Sequence, residues 1–273
     1  MHRRSAFHVM LVGGLVLAWA GSPSAAPGSS YEAVDAKART ELEGLAPAAL
    51  PAWDAANDAR DEGRFSDAEA GYRAVADATP KFDHAHRRLC SSLSALRRAD
   101  EAIIECRTAM SLRASPENEA ALAAALVDAP SPTPAALSEA HGLVLHAQKA
   151  RPDDVPITAI AARVAMARGD GASFDENVAT LHRIAPDGEE CVFFSILQDL
   201  NHEDVDAARA ELAAHRKLFR PERAAGLDVM IDDVASHPSS MRVAWRVAKV
   251  ASAVLGALVL AALALRLRKP KPA

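Results

Sequence analysis

The densest group of metal-capable side chains in the sequence is Asp83-His84-Ala85-His86. Two residues apart on a helix, the two imidazoles point away from each other, so the pair reads as solvated helix surface and no metal site is expected. His141 and His146 have no converging ligand either, and the ten histidines of the chain gather into no acid–base pair. A Gly-rich phosphate loop, H-E-x-x-H, G-x-S-x-G and paired C-x-x-C are all missing. The chain therefore reads as a non-enzyme without cofactor and without an evident small-molecule substrate. A helical enzyme is the competing class: a Ser-His-Asp site assembled across the fold would need strand ends and loops that the sequence does not offer.

The elements that must position any site follow from composition. The chain has 273 residues and 28.8 kDa, half of it hydrophobic, but only 7 Phe, 3 Trp and 2 Tyr. Much of the apolar half is alanine, which suits close helix contacts and not the aromatic and β-branched surfaces of sheets, so an all-α fold is expected. Charge is unevenly placed. Residues 241–273 hold seven Lys or Arg and no acid, residues 1–30 hold two and no acid, and the stretch between carries 22 basic against 36 acidic side chains. An acidic surface of that kind repels phosphate backbones, which argues against a nucleic-acid partner.

Both ends read as address segments. Arg3 and Arg4 precede an apolar run from Val9 to Ala20 that ends in Ala18-Trp19-Ala20, the pattern of a secretory signal over 1–20 with cleavage after Ala20. Near the other end, Val250 to Leu265 is free of charge and spans about 24 Å as a helix, and Trp245 through Leu267 closes the gap to a bilayer if Arg246, Lys249 and Arg266 snorkel. The expected transmembrane helix is 241–267, followed by a basic cytoplasmic tail, 268–273. Together the two segments place the acidic middle outside the membrane, in a periplasm-like compartment. If the first 20 residues are not a signal, a tail-anchored adaptor facing the cytoplasm results.

Between these ends runs a ladder. Ala68, Tyr72, Val75 and Pro80 recur 34 residues on as Ala102, Cys106, Ala109 and Ala114, with Pro116 two places later. A step of 38, lengthened by the loop Asp128 to Pro134, gives Ala140, Val144, Ala147 and Pro152. Steps of 34 then give Phe174, Val178, Leu181 and Pro186, and finally Ala208, Leu212, His215 and Arg220 beside Pro221. A second column, Ala56, Cys90, Ala124, Ala162 and Ile196, follows the same steps. Small residues in these columns let paired helices approach while Tyr72, Val144, Val178 and Leu212 fill between pairs. The spacing predicts an α-solenoid of about five antiparallel helix pairs over 49–221. Before it lie a linker and a leading helix, 21–48, with Tyr31, Val34, Ala38, Leu42 and Leu45 on one face; after it lie a capping helix from Pro221 and a linker, 222–240.

The ladder resembles the tetratricopeptide repeat, best in its first unit, where Gly63 and Phe65 at the turn precede Ala68, Tyr72, Val75 and Pro80. Later units are degenerate: Cys106 replaces the aromatic, Phe174 stands at an alanine position, and the last proline is displaced. The resemblance implies a curved solenoid whose first helices line a concave face that holds a protein or peptide. In that register Trp53, Asn57, Arg60, His84, Arg87 and Ser91 form the opening inner patch, with Trp53 either an interface anchor or the repeat's own packing tryptophan displaced by one place. The Lys and paired Asn of the carboxylate-clamp variety are not matched. Cys90 and Cys106 lie seven or eight residues to either side of the turn at Arg97 and Arg98, hence at one height; they either form a disulfide or pack as two thiols, and Cys191 is left over.

Overall fold

The computed structural model describes residues 30–236, with side chains from Val34 onward; the signal over 1–20 and the transmembrane helix over 241–267 lie outside the described residues. Among the described residues no helix is long and apolar enough to cross a membrane. They form twelve α-helices: α1 (Ser30–Leu45), α2 (Leu50–Asp61), α3 (Phe65–Ala78), α4 (Asp83–Ala95), α5 (Ala99–Leu112), α6 (Pro116–Asp128), α7 (Pro134–Ala150), α8 (Val155–Arg168), α9 (Gly171–Ile184), α10 (Glu189–Asn201), α11 (Val205–His215) and α12 (Pro221–Ser236). Short 3₁₀ turns occupy Pro47–Ala49 and Arg216–Leu218.

Local chemistry starts and stops these helices. Ser115, Thr133, Asp154, Asp170 and Asp204 each accept a hydrogen bond from a backbone N–H of the first turn they precede, which satisfies donors the helix itself cannot reach. Prolines stand at the first or second position of α6, α7 and α8, where their missing N–H is not needed. Four turns carry a residue in the left-handed region, Gly63, Arg97, Gly169 and Glu203, one in each of the short turns inside units one, two, four and five. That conformation bends the chain back on itself tightly enough to pack α2 on α3, and likewise for the other three pairs.

Successive pairs α2–α3, α4–α5, α6–α7, α8–α9 and α10–α11 stack, and α12 packs on α11. The second-helix columns are buried as expected: Ala68, Ala102, Ala140, Phe174 and Ala208 at the close contacts, and Tyr72, Cys106, Val144, Val178 and Leu212 between pairs. At Gly71 a Cβ would lie 2.7 Å from Ala56 Cβ, so α2 and α3 cross with no room for a side chain. The first-helix column needs one correction. Ala123 is buried and Ala124 is half-exposed, because the link Arg113–Ser115 between α5 and α6 is a residue shorter than the link Thr79–Phe82 between α3 and α4. The longer α6–α7 turn, 129–133, then restores the step.

First helices touch one another along the series α4, α6, α8, α10, and no comparable contact joins the second helices. A stack tighter on one side than the other curves, so the first helices form the concave wall. Two features cross that concavity. Helix α1 reaches α2 and α8, and Arg220, between α11 and α12, donates to the main-chain carbonyls of Arg60 at 3.5 Å and of Asp61 at the end of α2. The leading helix thus lies inside the curve, and Leu45, expected on its apolar face, is exposed.

A candidate binding groove on the concave face

The six residues placed on the inner face by sequence separate into three environments. Trp53 is fully buried, with its ring edge-on to Tyr72 at 5.4 Å and to Phe82 at 5.6 Å between centroids. This corrects the anchor assignment: α2 turns Trp53 into the seam between α2, α3 and α4, so it is the packing tryptophan of the first unit and offers nothing to a partner. Asn57 is half-buried; its Oδ1 accepts from the Tyr72 hydroxyl at 2.7 Å and from Arg60 Nη1 at 3.2 Å. His84 is covered by α1, 3.7 Å from a Glu41 oxygen, and its Nδ1 accepts from Arg87 Nη2 at 3.1 Å. Burial and the neighbouring Arg87 push its pKa down to about 4, so the ring is neutral at pH 7.

Arg60, Arg87 and Ser91 do share one surface. With Arg88 and Ser94 of α4, Glu117, Ala121, Ala124 and Asp128 of α6, Pro156, Ile160 and Arg163 of α8, and Val34 of α1, they line a groove of about 960 Å³ including its open mouth. Each helix contributes one stripe at helical spacing: 87, 91 and 94 from α4, 117, 121, 124 and 128 from α6, and 156, 160 and 163 from α8. The floor is alanine and isoleucine, and charges stand along both sides.

Those charges are mostly paired across helices. Arg163 donates to Asp128, which joins α8 to α6; Glu117 lies 2.9 Å from Arg151; and Asp83 accepts from Asn118 Nδ2 at 2.8 Å and lies 3.1 Å from Arg113. Asp35 of α1 sits between Arg60, at 3.2 Å, and Arg88, to which it is hydrogen-bonded. Burial works to raise the Asp35 pKa, but the guanidinium groups of Arg88 and Arg60 outweigh it and hold the carboxyl below its ordinary value. Arg87 is different. It is 5% exposed; among the described residues no carboxylate stands within ion-pair distance of it and its Nε has no hydrogen-bond partner, although Asp35, Glu117 and Asp83 attract it from further off. Burial, then the charge of Arg88, lowers its pKa to about 10. It stays charged at pH 7 and under-satisfied, which is a costly state for a buried guanidinium and one that an incoming anion relieves.

Arg88 and Asp35 were not among the sequence candidates. A signal for Asp35 exists: it shares a helical stripe with Ala38 and Leu42, an acid in an otherwise apolar row. Arg88 gives none, since a charged residue on a first helix reads as exposed until the contacts on both sides of that helix are known. His86, the other half of the His84-Ala-His86 pair, reaches Glu105 at 2.8 Å and the Pro80 carbonyl at 3.2 Å, so the two imidazoles serve different neighbours. Cys90 and Cys106 are joined by a disulfide with Cα atoms 5.3 Å apart, and Cys191 is buried as a thiol. No protein-family model matches the chain, and no curated protein is similar to it.

Proposed function

We propose that the chain is a membrane-anchored scaffold of tetratricopeptide-like repeats, held outside the cytoplasm, that binds a protein or peptide partner in the concave groove. The observation that carries this is the open stretch of the concave face, where α4, α6 and α8 each present a stripe to solvent and Arg87 lies buried with no ion-pair partner among the described residues. An alanine and isoleucine floor with polar sides is the surface that accommodates a partner's side chains. Support for the address comes from the sequence signal and apolar C-terminal run, and from the Cys90–Cys106 bond, a cross-link that persists in oxidising compartments. The same bond favours the exported arrangement over a tail-anchored adaptor in the cytoplasm.

Two experiments test the proposal. Tagged full-length chain should retain a partner after membrane solubilisation, and Ala124→Trp, which fills the groove at the centre of the α6 stripe, should lose it. Equal retention by both proteins would remove the groove from the account. Protease added to intact spheroplasts should digest the repeats, and mass spectrometry of the mature N-terminus should find it after Ala20; protection of the repeats until the membrane is opened would overturn the topology.

A further inference from the structure

We propose that α1 is a displaceable occupant of the concave face, and that the partner it yields to is an acidic amphipathic helix binding in its place. This rests on the groove being the binding surface, and adds what kind of partner fits it. The register of α1 is fixed by its ion pairs, Arg39 with Asp54 and Asp35 with Arg60 on α2 and Asp35 with Arg88 on α4, and by the approach of Glu41 to the neutral ring of His84 on α4. Residue numbers fall along α1 as they rise along α2 and α4, so α1 runs antiparallel to both. It therefore lies along the inner wall, in the position a bound helix would take, and does not extend the stack as a further pair.

What holds α1 is mainly charge. Only Ala38 and Leu42 of its described side chains are buried, whereas α6 buries Ala120, Leu122, Ala123, Ala125 and Leu126. Its carboxylates supply the rest: Asp35 on Arg60 and Arg88, and Glu41 on Arg113 at 2.6 Å. The wall beneath is correspondingly cationic. A segment with few buried apolar contacts and several partly exposed polar ones sits at the low end of local stability and opens more often than the core beneath it.

Two details say that α1 fits this wall incompletely. Its stripe carries Ala38 between Asp35 and Glu41, and Arg87, which lies between Arg88 and His84 on α4, has no carboxylate in ion-pair contact among the described residues. Among the described residues the groove takes Val34 alone from α1 and runs on across α6 to α8. A longer helix with a third carboxylate on the same stripe would satisfy Arg87 and cover the open stretch, and so displace α1 by matching more of the same wall.

The test uses purified full-length chain and a labelled peptide of residues 30–46 as the probe. In wild type, amides of α1 should exchange with solvent at least ~100-fold faster than those of α4 and α6. The double variant Asp35→Asn with Glu41→Gln, which unpins the resident helix at constant size, should bind the wild-type peptide in trans at least ~10-fold more tightly than wild-type chain does. Binding should weaken as salt rises, and adding Arg88→Gln to the double variant should abolish it. Exchange of α1 at the rate of α6 would show it to be a permanent part of the fold and overturn the proposal without requiring any variant to fold. Peptide binding that is equal in wild type and double variant, or indifferent to Arg88→Gln, would overturn it too. If α1 proves fixed while Ala124→Trp still releases the captured partner, the groove stands as the binding site and only the displacement of α1 falls.

Discussion

Replacing Arg87 by methionine should make the protein more stable and a poorer binder. The native guanidinium is buried, bonded to His84 Nδ1, without a carboxylate in ion-pair contact among the described residues, and its pKa is pushed down to about 10 by burial. At about 1.4 kcal/mol for each unit, the charged form is penalised by roughly 3 kcal/mol in the folded state, an upper figure for what removing the charge can recover. Methionine keeps the apolar stem and forfeits the bond to His84, worth about 1 kcal/mol, so a net gain of about 1–2 kcal/mol is expected. For a domain of this size that is a rise of about 3–6 °C in Tm. The assay is thermal unfolding of full-length wild type and Arg87→Met followed by circular dichroism, with partner retention measured on the same samples. A Tm lowered by several degrees would mean that the guanidinium is well satisfied in the folded protein, and the case for Arg87 as a group awaiting an anion would fail.

Other outcomes follow from the same geometry. Reduction, or Cys90→Ser, should cost about 3 kcal/mol through the freed 16-residue separation, and Cys191→Ser should leave that effect intact, read by melting with and without reductant. Ala123→Leu and Ala140→Leu should each lose about 1–3 kcal/mol by overpacking, while Ala74→Leu on an exposed surface loses little; equal melting temperatures would show the columns to be misplaced. Two buried groups should oppose each other in pH dependence. Burial raises the Glu190 pKa to about 7 against the pull of Arg223, so the folded state holds the extra proton and this residue's contribution to stability falls as pH rises from about 4.5 to 7. Burial and Arg87 lower the His84 pKa to about 4, so the unfolded state holds the extra proton there and the contribution of His84 rises with pH from about 4 to 6.5. Glu190→Gln should therefore leave stability climbing through that window, and denaturant titrations at pH 4.5, 5.5 and 6.5 that show no change from wild type would refute the assignment.

How far the sequence discloses this arrangement depends on the range of the interactions. The pairs were legible because small and apolar residues return at steps of 34, once lengthened to 38, and packing between neighbouring helices is local enough to leave that period in the chain. The slip from Ala124 to Ala123 was not, since a link shortened by one residue and a turn lengthened afterwards cancel in the count. Trp53 was ambiguous by one helical position, and on a helix one position is the difference between seam and surface. Placing α1 inside the curve was out of reach, because the pairs that fix it join Asp35 to Arg88 across 53 residues and Glu41 to Arg113 across 72. Such contacts leave no period, and only the acid in an apolar row at Asp35 hinted that the helix buries a charge against something cationic.

The contact of Arg220 with the end of α2 changes what kind of polymer this is. A stack in which each unit meets only its neighbours unravels from its ends, and its terminal units report little on one another. Here a guanidinium from beyond the fifth pair donates to the carbonyls of Arg60 and Asp61, 160 and 159 residues away, at the end of α2, where the Arg60 carbonyl also accepts from the Gly63 N–H at 2.9 Å. That clasp makes a loop of the ladder, so loss of the last helix should be felt in the first, and unfolding should lean toward a single all-or-none step in place of fraying repeat by repeat.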